Sequence, residues 1–128
     1  MTRTSLRTPL ARVLGHGSAK EGVGHWWTQR ITSVALVPLT LWFVIGLLRL
    51  PSPEYAVVLA WLAAPWNSAA AVLLVLTLAW HSSLGVQVVI EDYVQDHGLK
   101  VTALVLQKFA HVVLAAVGVI SLLRVALA

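Results

Sequence analysis

From Asn67 to Ile90 the chain carries no formally charged side chain. Ile31–Leu48 is a second such run, and a third, Val101–Leu123, is interrupted only by Lys108. About 20 apolar residues carry a helix across the hydrocarbon core of a bilayer. Irregular lipid-facing backbone does not survive there, because its N–H and C=O groups would have no partners. The three runs therefore predict an all-α integral membrane protein with three transmembrane helices, over about 27–48, 67–90 and 101–123. Composition agrees: 11% of the residues are charged, against about 25% in a soluble domain. Pro38 deletes one backbone hydrogen bond inside the first span and is expected to kink it.

Around the spans the chain divides simply. Residues 1–24 are polar, with Arg3, Arg7, Arg12 and Lys20 against one acid, Glu21. A secretory signal would place an apolar stretch and a small-residue cleavage site directly after the charges. Neither follows, so the segment is read as retained and cytoplasmic, and 25–128 as the three-helix membrane domain. Trp26 and Trp27 suit the aromatic belt at the lipid–water boundary. Leu50–Trp66, with Pro51, Pro53 and Pro65, reads as a connection holding a short interfacial helix over Glu54–Ala63. Glu91–Lys100 reads as a polar loop whose turn ends at Gly98.

Positive charge sets the orientation. Arg3, Arg7, Arg12, Lys20, Arg30, Lys100 and Lys108 fall on one side, and Arg49 and Arg124 on the other. Lys and Arg favour the cytoplasmic face, which places the amino terminus and the Glu91–Lys100 loop inside and the carboxyl terminus outside. Because the cations flank spans, the net charge of +4 gives no argument for nucleic acid. The absence of cysteine excludes disulfides, thiol catalysis and iron–sulfur ligation by this chain.

One polar residue stands out in depth. By the helical rise, His81 lies about 15 Å below the Glu91 boundary, near mid-bilayer. His81, Gly85, Val88 and Asp92 share one helix face at the three- and four-residue spacing. Gly85 removes bulk one turn from the imidazole, and Tyr93 follows Asp92 where the apolar run stops. An ionisable side chain inside a span is costly and marks a functional site or a bond to a neighbouring helix. A buried neutral imidazole suits axial ligation of a haem iron. A phenol at the interface suits a belt position or donation to a quinone oxygen, with the neighbouring carboxylate orienting it or passing protons. Arg30 suits a positive-inside anchor or a partner for propionates or a quinone oxygen. His111, close after Lys108, is placed about 10 Å too shallow to face His81, and is read as a helix-packing residue. A second ligand is expected from another subunit. A small transporter or assembly subunit with a buried histidine is the competing reading.

His81, Asp92 and Tyr93 in the order H-x10-D-Y, with GHWWTQRITSVAL at the first span, resemble the small hydrophobic membrane-anchor subunit of succinate dehydrogenase, respiratory complex II. The resemblance covers about Gly22–Leu123. It implies a non-catalytic anchor in a bacterial inner membrane rather than a mitochondrial one. The implied partners are a second membrane-anchor subunit, an iron–sulfur subunit and a flavoprotein. FAD and the iron–sulfur clusters then belong to those partners. The resemblance implies that His81 ligates haem b, shared with the other anchor, and that Arg30 lies near the propionates. It assigns Tyr93, Asp92 and Arg30 to the site where ubiquinone is reduced. A fumarate reductase anchor shares the architecture with the reaction reversed.

The topology is open to direct test. A reporter active only in the cytoplasm, fused after Ala128, is expected to be silent, and the same reporter at the amino terminus active. Activity of the carboxyl-terminal fusion contradicts the inferred orientation.

Overall fold

The structure, a computed structural model, describes residues 20–128, with Lys20 and Glu21 described by backbone alone. Residues 1–19, most of the amino-terminal segment, lie outside the described residues. Four helices follow in order: α1 (Lys20–Leu48), α2 (Tyr55–Ala63), α3 (Pro65–Tyr93) and α4 (His97–Leu127). There is no strand among the described residues. Three of the helices are long and apolar enough to cross a membrane, and each contains one of the expected spans. All run past the hydrocarbon: the 29 residues of α3 give about 44 Å of helix against a core of about 30 Å. α1 continues through Pro38.

The connection between α3 and α4 is shorter than the polar sequence suggests. α3 continues through Glu91, Asp92 and Tyr93, and only residues 94–96 separate it from α4. Asp96 is the start signal. Its carboxylate accepts from the Leu99 amide at 2.7 Å, satisfying a donor that the first turn leaves free. Gly98 therefore sits inside α4 instead of ending a loop. Lys100 Nζ donates to the Glu91 carbonyl at 3.0 Å, which ties the start of α4 to the end of α3.

The turn between α2 and α3 is closed the same way, by side chains. Pro65 opens α3, where its missing N–H costs nothing. Asn67 Nδ2 donates to the Trp61 carbonyl at 2.8 Å. The Ser68 hydroxyl lies against the Leu62 and Ala64 carbonyls. The Trp61 and Leu62 carbonyls are ones that the end of α2 leaves unpaired, while that of Ala64 also accepts the Ser68 amide at 2.9 Å. The Trp61 ring then stacks on Trp42 of α1, centroids 5.3 Å apart.

α3 is the centre of the assembly. It packs against α1 and α4, and α2 lies across α3 and α4. The residues buried among those described are small or polar: Ala71, 4% exposed, and Ser68 on α3, and Gln107 on α4. Small residues are what close helix approach in a membrane needs. Large apolar side chains point outward instead. Val34, Leu41, Leu78, Phe109 and Leu114 are all more than half exposed, the inverse of a soluble core and the surface expected of a chain solvated by lipid and membrane partners.

Gly46 marks one contact that bulk would break. A Cβ there would overlap the Trp61 ring. Gly46→Ala gains about 1 kcal/mol of helix propensity and loses about 1–3 kcal/mol to overpacking. The expected outcome is a lower thermal midpoint of the assembled protein, with altered tryptophan fluorescence. An unchanged midpoint and spectrum contradict the contact.

Candidate functional site around His81

The polar seam of the molecule runs between α1 and α3. His81 lies just past the middle of α3. Its ring turns toward α1, where Thr32 Oγ1 is 2.9 Å from Nδ1 and Gln29 Nε2 is 3.4 Å from Nε2. Thr32 is itself held: its hydroxyl is 2.8 Å from the Thr28 carbonyl and 3.1 Å from that of Gln29. Ser33 makes the same kind of bond to the Gln29 carbonyl. His25, Gln29 and Thr32 follow one another at the four- and three-residue spacing and so form one stripe on α1. Two atoms of that stripe, His25 Nε2 and Gln29 Oε1, are buried without a partner among the described residues.

Asp92 and Tyr93 end α3 in the open. Tyr93 is 82% exposed, and neither its phenol nor the Asp92 carboxylate makes a hydrogen bond among the described residues. Glu91 is the engaged member of the cluster, accepting from Gln87 Nε2 at 2.8 Å. Arg30 follows Gln29 and so lies level with His81. Tyr93 lies about 18 Å farther along α3 by the helical rise. The backbone of Arg30 is thus level with His81. The guanidinium folds back over Trp26, 5.5 Å from the ring centroid, as a cation reaching toward the helix start does.

His111 departs from its expected depth. Its Nε2 is 3.1 Å from the Ser82 hydroxyl, so the ring is level with the residue after His81. The sequence estimate takes Lys108 as the membrane boundary. Lys108 lies about three turns into α4, so that count starts too deep. His111 is nonetheless spoken for, since its Nδ1 is also 2.7 Å from the Gln107 carbonyl. It joins α4 to a face of α3 different from the one His81 presents to α1. With Lys108 inside the span, the boundary charge bias becomes six to two.

With this geometry in view, comparison with known proteins is decisive. The profile of the succinate dehydrogenase/fumarate reductase transmembrane subunit family matches residues 4–123. The chain belongs to that family. It is similar to the succinate dehydrogenase hydrophobic membrane anchor subunit of Rickettsia conorii, 29% identical over 101 residues covering 78% of this chain and 80% of the relative. The subunit of the same description from Rickettsia bellii is 31% identical over 102 residues, covering 80% and 82%. That of Paracoccus denitrificans is 32% identical over 88 residues, covering 69% and 68%. Three apolar helices in a transmembrane-subunit family make this a multi-pass membrane protein, and the transporter reading gives way.

The residues can be tested against the haem expected for such a site. No group of three His, Asp or Glu side chains is assembled among the described residues, and His81 is the imidazole that the sequence assigns to an iron. That imidazole fits. Its Nδ1 is firmly held, while its Nε2 meets only a flexible amide, beyond the roughly 2.7–3.2 Å of an ordinary N–H hydrogen bond. At Gly85, one turn away, an added Cβ would meet nothing within 4 Å, so the helix face beside the ring is open. Thr32 and Gln29 are the members of this site that sequence reasoning misses. Their signal is a run of polar side chains at the same three- and four-residue spacing inside an apolar span, counted from His25.

Proposed function

We propose that this chain is a membrane-anchor subunit of a bacterial succinate:quinone oxidoreductase in the inner membrane. The observation that carries the reading is the family match across all three spans, together with a half-buried histidine and an exposed tyrosine on one helix of that fold. In this reading the chain docks the iron–sulfur and flavoprotein subunits at the end of α3, beside the 94–96 turn. It pairs with a second anchor subunit across the open face at Gly85. Succinate is oxidised on the partners. The relatives' names favour that direction over fumarate reduction.

His81 Nε2 would be the atom by which this chain holds haem b, and the second anchor would supply the other protein ligand. Arg30, at the same depth, supplies a cation for the propionates. When bound, the haem supplies a one-electron redox centre in the membrane. The chain's own residues hold the imidazole in place, exclude water from around it and meet the quinone.

The quinone pocket is assigned to Tyr93 and Asp92, where the electron-donating partner arrives. Ubiquinone takes up two electrons and two protons. The Tyr93 phenol donates a hydrogen bond to a carbonyl oxygen as negative charge builds on it. Asp92, at the water boundary, is placed to receive protons from the cytoplasm and pass them on. Arg30, whose guanidinium reaches back over Trp26 toward the start of α1, is assigned to the quinone as well as to the propionates.

Tyr93→Phe keeps the ring and deletes the donor. A hydrogen bond to a charge-developing group contributes about 1.5–3 kcal/mol, and about 1.4 kcal/mol is tenfold in rate. Quinone reduction by membranes carrying the variant is expected to fall roughly ten- to a hundredfold. Succinate oxidation by an artificial dye stays near the unmodified level. Quinone reduction at the unmodified level makes Tyr93 an interfacial anchor only.

A further inference from the structure

The contacts of His81 say which of its nitrogens carries the proton. Thr32 Oγ1 has one hydrogen. The Thr28 carbonyl, 2.8 Å away, and the Gln29 carbonyl, 3.1 Å away, are acceptors only. Two oxygens this close repel unless the hydroxyl hydrogen lies between them, so that hydrogen is committed to the backbone. Toward His81 Nδ1, at 2.9 Å, the Thr32 oxygen can then only accept. The imidazole is protonated on Nδ1 and bears its lone pair on Nε2. The second contact is consistent with this. The group facing Nε2 at 3.4 Å is the Gln29 amide nitrogen, a donor with nothing to accept with.

We infer that Thr32, braced by its bonds to the α1 backbone, is the positioning residue that fixes the tautomer and ring orientation of His81 and aims the Nε2 lone pair. Gln29 is the occupant of that lone pair when no iron is there. Its long contact and its unpartnered buried oxygen make it a side chain ready to leave. The inference rests on the reading of His81 as a haem ligand. A hydrogen bond at the far nitrogen of a ligating histidine locks the ring and raises its basicity. An electron-rich imidazole stabilises the oxidised iron over the reduced one, so the Thr32 contact holds the midpoint potential down.

The test uses the whole complex purified from membranes, with Thr32→Val, Thr32→Ser and His81→Leu in this chain. Thr32→Val removes the acceptor at nearly constant shape. Its haem midpoint potential is expected to shift upward, and haem affinity to fall by roughly ten- to a hundredfold, the usual effect of losing such a support. Thr32→Ser keeps the hydroxyl and is expected to restore both. If Thr32→Val does not assemble, Thr32→Ala, which adds no bulk, carries the same expectation. A potential and haem content unchanged in Thr32→Val overturn the inference, as does an equal shift in Thr32→Ser. When His81→Leu alters the haem and Thr32→Val does not, only the positioning role fails. When His81→Leu leaves the haem spectrum untouched, the ligand reading fails and the inference falls with it.

Discussion

Inside a bilayer there is no water to hydrogen-bond a stranded polar atom, and nearly everything in this fold follows from that. Backbone groups are satisfied by making each crossing a single long helix. Side chains are satisfied by facing other helices or their own backbone. Thr28, Thr32 and Ser33 bond back to α1 carbonyls, Asn67 and Ser68 close the end of α2, and His111 bridges α4 to Ser82. His81 is the member of this set whose second nitrogen is poorly served. On the facing stripe of α1, His25 Nε2 and Gln29 Oε1 are likewise buried without a partner among the described residues, so this seam is where polar atoms are left for a bound group to satisfy.

The same constraint explains why so much of the fold is legible in the sequence. A charge-free run of span length has essentially one solution, so α1, α3 and α4 can be placed from charge alone. The short helix α2 between its prolines is also visible. Two features are not. The polar run Glu91–Lys100 reads as a loop, yet Glu91–Tyr93 continue α3 because the helix outlasts the hydrocarbon and polar residues are at home in its last turn. His111 reads as shallow only when Lys108 is taken as a boundary. A lysine can lie well inside a span when its amine reaches outward, and so a single cation is a poor depth marker.

The candidate site is legible in His81 and not in the residues that hold it. His81, Asp92 and Tyr93 announce themselves by residue type and by spacing along one helix. Thr32 and Gln29 do not, because threonine and glutamine near the start of a span read as ordinary tolerance of polarity. Only the pairing of α1 with α3, a tertiary fact, puts them against the imidazole. That pairing also separates two roles which the sequence merges. In sequence Arg30, His81 and Tyr93 are one polar set; in the fold His81 lies deep in the bundle and Tyr93 about 18 Å farther along α3, with the Arg30 guanidinium turned back over Trp26 from the His81 level. In the proposed reading, a ligand deep in the bundle and a donor at its rim would join an electron carrier to a quinone.

The central claim is that His81 is this chain's axial ligand. The most direct measurement is a reduced-minus-oxidised optical spectrum of the purified complex, unmodified and with His81→Leu. The unmodified complex is predicted to show a low-spin b-type haem with two histidine ligands. The variant is predicted to lose or shift that signal while succinate–dye activity persists. An unaltered bis-histidine signal in His81→Leu would contradict the account.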